Sequence, residues 1–400
     1  MVLGPGGSGI SAVAVGGALG LADAHRPQRR GGPLAAVDAA RTLLVTVDPR
    51  STLPQRLGVF RVAGEPVAVT GELDLLHLDP LQVLEQAWTD FTAALDAAGV
   101  GRKLLPVVGT IAGVDAGELT GLPGAQEFLL LRAVRDAATS GRWQSVVVDL
   151  SGVGDPYALL RSPTVLAAAI DRLWPRNVRL AQASEKPALA QVAAAVESID
   201  RDCRDLRELL ADPTGAAVHL VVPAGGRGQS TLPDHLALAE VMGLPLRSIL
   251  VNAGPGALDT DAVAAQARTL LGGDADRAVR VGVVAAHDVE PGKLPQLRRL
   301  DVRLSAPDGH ARGAAAPVVE HVGGGGLEAR YRLRWRQTLP RPEDLVLGRS
   351  GDDLLVTVSG FRQPVPLPSV LRRCQVTGAD FDGDELMVHF QPDPALWPQR

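Results

Sequence analysis

The sequence predicts a doubly wound α/β domain with a mostly parallel sheet, a helical insert and a C-terminal all-β sandwich. Three observations carry this. Short apolar, β-branched runs alternate with helical patterns through the first three quarters of the chain. A glycine-rich loop separates an opening strand from a helix of small residues. Beyond residue 305 the text changes to glycine and proline, and then to short alternating runs.

Strand-like runs occupy residues 43–47 (LLVTV), 145–149 (SVVVD), 218–222 (VHLVV), 248–252 (SILVN) and 279–284 (VRVGVV). Continuous apolar runs of this length suit strands buried on both faces of a parallel sheet. Helical patterns at 12–24, 81–98, 124–140 and 186–210 lie between them, which is the alternation of an α/β domain. This domain is expected to span 1–304, with the helical insert at about 163–212. Residues 305–327 hold Pro317 and the run Gly323–Gly326, and read as a linker without regular elements. Short alternating runs at 330–336, 353–358, 365–368 and 385–390 place an all-β domain at 328–400.

Composition narrows the function classes. Apolar residues make up 46% of the 400 and charged residues 21%, an ordinary balance for a globular protein. The net charge of −5 argues against a nucleic-acid binder, which would show a basic field. No window reaches about 18 consecutive apolar residues, so no membrane span is expected. The N-terminus lacks the basic-then-apolar pattern of a signal peptide, which makes the cytoplasm the expected compartment. The bias toward Ala, Val, Leu, Gly and Arg with few Lys fits a high-GC bacterial source. Cys203 and Cys374 stand far apart without C-x-x-C spacing, and the histidines form no H-x-x-x-H pair, so no zinc is expected.

The loop Gly4-Pro5-Gly6-Gly7-Ser8-Gly9-Ile10-Ser11 is the chemical centre of the reading. Glycines let backbone N–H groups approach an anion, and the N-terminus of the following helix adds its dipole. Gly4, Gly6 and Gly9 also satisfy the dinucleotide pattern G-x-G-x-x-G, which wants an acid about 20 residues on. The acid that ends the second strand, Asp48, comes much later. A tight glycine turn without a ligand is the third option that the motif alone leaves open. Only Met1, Val2 and Leu3 precede the loop, where a central strand is usually about five residues long.

Five segments in order resemble the ATPases of the arsenite-pump and tail-anchored-protein-targeting family (ArsA-like). The loop resembles the family's deviant Walker A, G-K-G-G-x-G-K-[ST]. Val47-Asp48-Pro49-Arg50-Ser51-Thr52-Leu53 resembles switch I, and VVVDLSGVGDPYALL at 146–160 resembles switch II. Residues 249–252 resemble the strand ending in the asparagine that contacts adenine. Residues 351–390 resemble the small-heat-shock-protein-like sandwich of many bacterial members. The resemblance implies a P-loop NTPase fold of the SIMIBI type, with ATP and Mg²⁺ as cofactors. It implies nucleotide contacts at Gly4, Gly6, Gly7, Ser8, Gly9, Ile10, Ser11 and Asn252. Ser11 and Asp149 would be the metal ligands, and Asp48 the switch I acid that positions water.

The departures concern catalysis. The family's loop lysine that reaches across a dimer is replaced by Pro5, and the lysine on the β- and γ-phosphates by Ile10. A cation there stabilises transition-state charge, and losing it costs several kcal/mol, in the range of about 3–4 or more. Switch II reads DLSGVGDP against the family's DTAPTGHT, so Ser151, Gly152 and Val153 stand where the family has A-P-T. The insert contains none of the chain's three methionines, unlike a client groove for apolar helices. The sequence therefore points to a weakly active or non-catalytic subunit, forming a homodimer or a heterodimer with an intact paralogue. An active ATPase, and a chaperone-like module working through the C-terminal sandwich with an unknown client, are the alternatives. Gly225–Gly228 reads as a loop after a strand.

Overall fold

The computed structural model describes residues 1–24, 41–97, 115–118, 124–185, 187–255, 259–272, 278–287, 290–312, 317–383 and 385–397. The expected helix limits at Ala98 and Lys186 lie outside them. The chain divides into two compact units, Met1–Leu210 with His287–Leu304, and Ala211–Ala286 with Ser305–Arg400.

The first unit contains β1 (Val2–Leu3), α1 (Ile10–Ala24), β2 (Thr42–Thr46), α2 (Leu53–Leu57), β3 (Pro66–Ala68), β4 (Leu73–His77) and α3 (Pro80–Ala97). It continues with α4 (Ala125–Thr139), β5 (Ser145–Asp149), α5 (Pro156–Leu173), α6 (Arg176–Glu185) and α7 (Pro187–Ala211). Its strands lie in the order β3-β4-β2-β5-β1, parallel except for β3 against β4. Every residue of β2 and β4 is buried, including Asp74 of β4, whose Oδ2 accepts from Trp143 Nε1 at 3.0 Å.

Glycines in the middle of α1 look unfavourable by propensity, at about 1 kcal/mol each. Packing explains them. The segment ending at Leu304 crosses this helix so closely that a Cβ on Gly17 would fall 2.4 Å from Leu304 Cδ1. One on Gly20 would fall 2.8 Å from the Val302 carbonyl oxygen. In the insert, α5 runs through Pro163, seven residues past its start at Pro156. The Asp155 carboxylate caps this helix, accepting from Tyr157 N–H at 2.9 Å.

The second unit contains β6 (Val218–Pro223), α8 (Gly226–Val241), β7 (Leu246–Asn252), α9 (Asp261–Leu270) and β8 (Arg280–Val284), with the three strands parallel. The expected loop at 225–228 is corrected: residues 226–228 are the first turn of α8. Gly228 makes this possible, since a Cβ there would meet the Pro223 carbonyl oxygen at 1.8 Å.

The C-terminal strands form a β-sandwich of two antiparallel sheets. One is ordered β14 (Cys374–Asp382), β15 (Glu385–Pro392), β10 (Arg330–Arg336), β9 (Val318–Gly323), and the other β11 (Val346–Ser350), β12 (Asp353–Val358), β13 (Phe361–Pro366). Strand β9 corrects the expectation that 305–327 holds no regular element. Its text VVEHVG pairs with β10, and the glycine run begins at its last residue, Gly323. Strand β13 begins four residues before the run expected at 365, because Phe361 pairs with Val358 across a two-residue turn.

This sandwich is welded to α8 by a buried polar network. Arg312 Nε donates to Glu240 Oε1 at 2.6 Å, and the Thr338 N–H donates to Glu240 Oε2. Gln337 Nε2 donates to the Ala237 carbonyl at 3.0 Å.

Candidate nucleotide site

Four of the sequence-predicted features converge in the first unit. The loop 4–9 joins β1 to α1, with Gly7 and Gly9 at φ 76° and 81°, where a side chain would be strained. Ser8 N–H donates to the Pro5 carbonyl at 3.2 Å, and Val13 N–H donates to that of Gly9 at 3.0 Å, starting the helix. Gly6 and Gly7 are exposed, and no atom lies within 4 Å of a Cβ built on Gly6. The geometry is an open backbone surface at a helix N-terminus, suited to an anion.

The residues in the lysine positions face the other way. Ile10 is 5% exposed and packs as the first residue of α1, and Pro5 is buried. Neither presents a donor or a charge to the loop.

Ser11 and Asp149 stand together through Ser151. The Ser11 and Ser151 hydroxyl oxygens are 2.7 Å apart, and Ser151 N–H donates to Asp149 Oδ1 at 3.0 Å. Asp149 ends β5 with none of its surface exposed, and its Oδ2 has no hydrogen-bond partner among the described residues. Burial pushes its carboxyl above the ordinary aspartate range. The hydrogen bonds from Ser151 and Ser11 oppose this rise, and the Asp48 charge adds to it.

Asp48 leads the loop after β2. Its Oδ1 accepts from Arg50 N–H at 2.9 Å, and its carbonyl accepts from Ser51 N–H at 3.0 Å. Arg61 clamps the same loop, donating to the Pro49 carbonyl at 2.6 Å and to that of Ser51. His77, 2% exposed at the end of β4, donates from Nε2 to the Asp48 carbonyl at 3.1 Å. Gly152, at φ +75°, lies against the Asp48 side chain.

Asn252 ends β7 in the second unit. It is buried, its Oδ1 accepts from Gly254 N–H at 3.2 Å, and its carbonyl accepts from Ala224 N–H at 3.0 Å.

Sequence reasoning missed His77, Arg61 and the Ser11–Ser151 contact. His77 ends the buried strand LDLLH, in which Asp74 is also polar, so residue type alone does not single it out. Nothing in the sequence couples Ser11 to a serine 140 residues away. Among the described residues no group of three or more His, Cys, Asp or Glu could hold a metal ion, and no helix is long and apolar enough to cross a membrane.

Residues 32–239 match the family described as anion-transporting ATPase, and residues 328–390 match the HSP20-like domain found in ArsA. The chain belongs to the ArsA-like ATPase family. The first match begins after the glycine loop, so the loop's kinship rests on its place between β1 and α1. The chain is 32% identical over 394 residues to "Protein Rv2184c" of Mycobacterium tuberculosis, covering 90% of each. It is 33% identical over 421 residues to "Uncharacterized protein SCO2128" of Streptomyces coelicolor, covering 100% of this chain and 98% of the relative. A "Putative arsenical pump-driving ATPase" of Chlorobaculum tepidum is 25% identical over 229 residues, covering 53% of each chain.

The open glycine backbone suits an anion, and the unpartnered Asp149 oxygen beside Ser11 suits a cation. The buried Ile10 and Pro5 leave the loop without the family's charge.

Proposed function

We propose that this protein is a nucleotide-binding subunit of the ArsA-like type whose hydrolysis is weak or lost. The burial of Ile10 at the head of α1 is the observation that carries this reading, because the position of the phosphate lysine faces the core. Backbone N–H groups of the loop from Gly4 to Gly9 would hold the phosphates. Ser11 and Asp149 would hold Mg²⁺, which when bound neutralises charge on phosphate oxygens. Asp48 would order the attacking water, but without a loop cation the transferring group lacks its main electrostatic partner.

The subunit would work in the cytoplasm as a homodimer or beside an intact paralogue able to supply a lysine. Calorimetry of ATP binding to the full chain, with and without Mg²⁺, tests the reading together with a turnover assay. Binding without turnover supports it, and absence of binding overturns it. Mg²⁺-dependent turnover abolished by Asp48→Asn would replace it with an active ATPase. The retained Asp149, buried at a cost in stability, is what supports that second reading.

A further inference from the structure

Asp149, Thr46 and His77 close three neighbouring strands in one rank. Strands β5, β2 and β4 are adjacent and parallel, and Thr46 is in register with both Asp149 and His77. In-register residues of parallel strands project from the same face. The outer two therefore stand about 9–10 Å apart at ordinary strand spacing, with Thr46 between them.

All three are buried, Asp149 and Thr46 completely. Each keeps one polar atom with no hydrogen-bond partner among the described residues: Asp149 Oδ2, Thr46 Oγ1 and His77 Nδ1. The remaining polar atoms of the outer pair are used. Asp149 Oδ1 accepts from Ser151 N–H, and His77 Nε2 donates to the Asp48 carbonyl. The tautomer that donates from Nε2 leaves Nδ1 as an acceptor.

Buried polar atoms seldom go unpaired, and three in one row point to a shared polar ligand rather than three separate defects. The row is made of two acceptors flanking a hydroxyl, so its ligand must supply hydrogens. Water does, and an internal water makes two to four such bonds to otherwise unpaired groups. We propose that Asp149, Thr46 and His77 form an internal water-binding row that ties the acid of the phosphate corner to switch I. A change at Asp149 passes through Thr46 and the bound water to the imidazole that holds the Asp48 carbonyl. His77 is a positioning residue in this arrangement, acting on the corner through Asp48.

The test uses the nucleotide-free full chain, so it stands apart from ATP binding. A chain that binds no ATP overturns the proposed function and leaves this row untouched. Thr46→Val keeps the shape and removes the hydroxyl. A hydrated row predicts a lower Tm, by about 2–4 °C, and faster hydrogen exchange at the amides of Arg50 and Ser51. Thr46→Ser keeps the hydroxyl and retains the wild-type exchange pattern. Asp149→Asn alters exchange at Arg50 and Ser51 in the wild-type background and leaves it unaltered in the Thr46→Val background. An unchanged or raised Tm in Thr46→Val overturns the proposal, since a dry orphan hydroxyl is better replaced by a methyl. So does equal loss of the exchange pattern in Thr46→Ser, or an Asp149→Asn effect that simply adds to that of Thr46→Val.

Discussion

Gly152 lies so close to Asp48 that a Cβ built on it would fall 2.3 Å from the Asp48 Cγ. Two loops 104 residues apart in sequence thus meet through the absence of a side chain.

Gly152→Ala is therefore expected to act twice. It places a side chain at φ +75°, costing about 1–2 kcal/mol, and it displaces the Asp48 carboxylate. Urea unfolding should register the first effect. The second should appear as loss of the Arg50 N–H to Asp48 Oδ1 bond, read as faster exchange at Arg50.

Ile10→Lys tests whether a missing charge is the main defect of the loop. The substitution removes a buried apolar side chain, costing about 2–3 kcal/mol in stability. A lysine that turns outward should raise Mg²⁺-ATP affinity about tenfold or more, as expected for a charge-assisted contact. A fall in Tm with unchanged affinity would mean that the helix start holds the side chain away from phosphate.

Asp149→Asn is expected to stabilise the nucleotide-free chain. Burial raises the aspartate's pKa, so its ionised form opposes folding near neutral pH, and an amide keeps an acceptor for Ser151 N–H. Thermal unfolding should show a higher Tm, while Mg²⁺-dependent nucleotide binding is lost. Such opposition between stability and binding is typical of a functional buried charge.

Below neutral pH the second unit should weaken through His219. Its Nδ1 is 2.7 Å from Ser248 Oγ, and burial holds the imidazole well below its usual value of 6.5. The unfolded chain takes up this proton below about pH 6.5 and the folded chain does so only at lower pH. The stabilisation is complete above 6.5 and declines below it, by up to about 1.4 kcal/mol per pH unit. Urea midpoints at pH 7.5 and 5.5 should differ less in His219→Gln than in the wild type.

Glu240→Ala should cost about 3–5 kcal/mol, because it leaves the Arg312 guanidinium buried without its carboxylate. The same change removes the acceptor of Thr338 N–H, so exchange at Thr338 should rise together with the loss of stability.

Much of the fold was legible where one residue type dominates a run. Thr42–Thr46, Ser145–Asp149 and Leu246–Asn252 are strands because β-branched residues buried on both faces leave few alternatives. Their terminal acids and amide could be located for the same reason, since strand ends are where apolar text stops. Strand β9 was not legible. Its six residues are half exposed and gain a partner only when β10 arrives. His77 was equally hidden, because its partner is a backbone carbonyl, and carbonyls leave no mark in a sequence.

The sequence by itself determined which chemistry the loop lacks. Charge belongs to residue type, and no conformation makes Pro5 or Ile10 cationic. Only the tertiary structure decided where those residues point, and that Asp149, Thr46 and His77 end their strands in one rank. Register and burial arise from contacts between segments distant in the chain, which local pattern cannot encode.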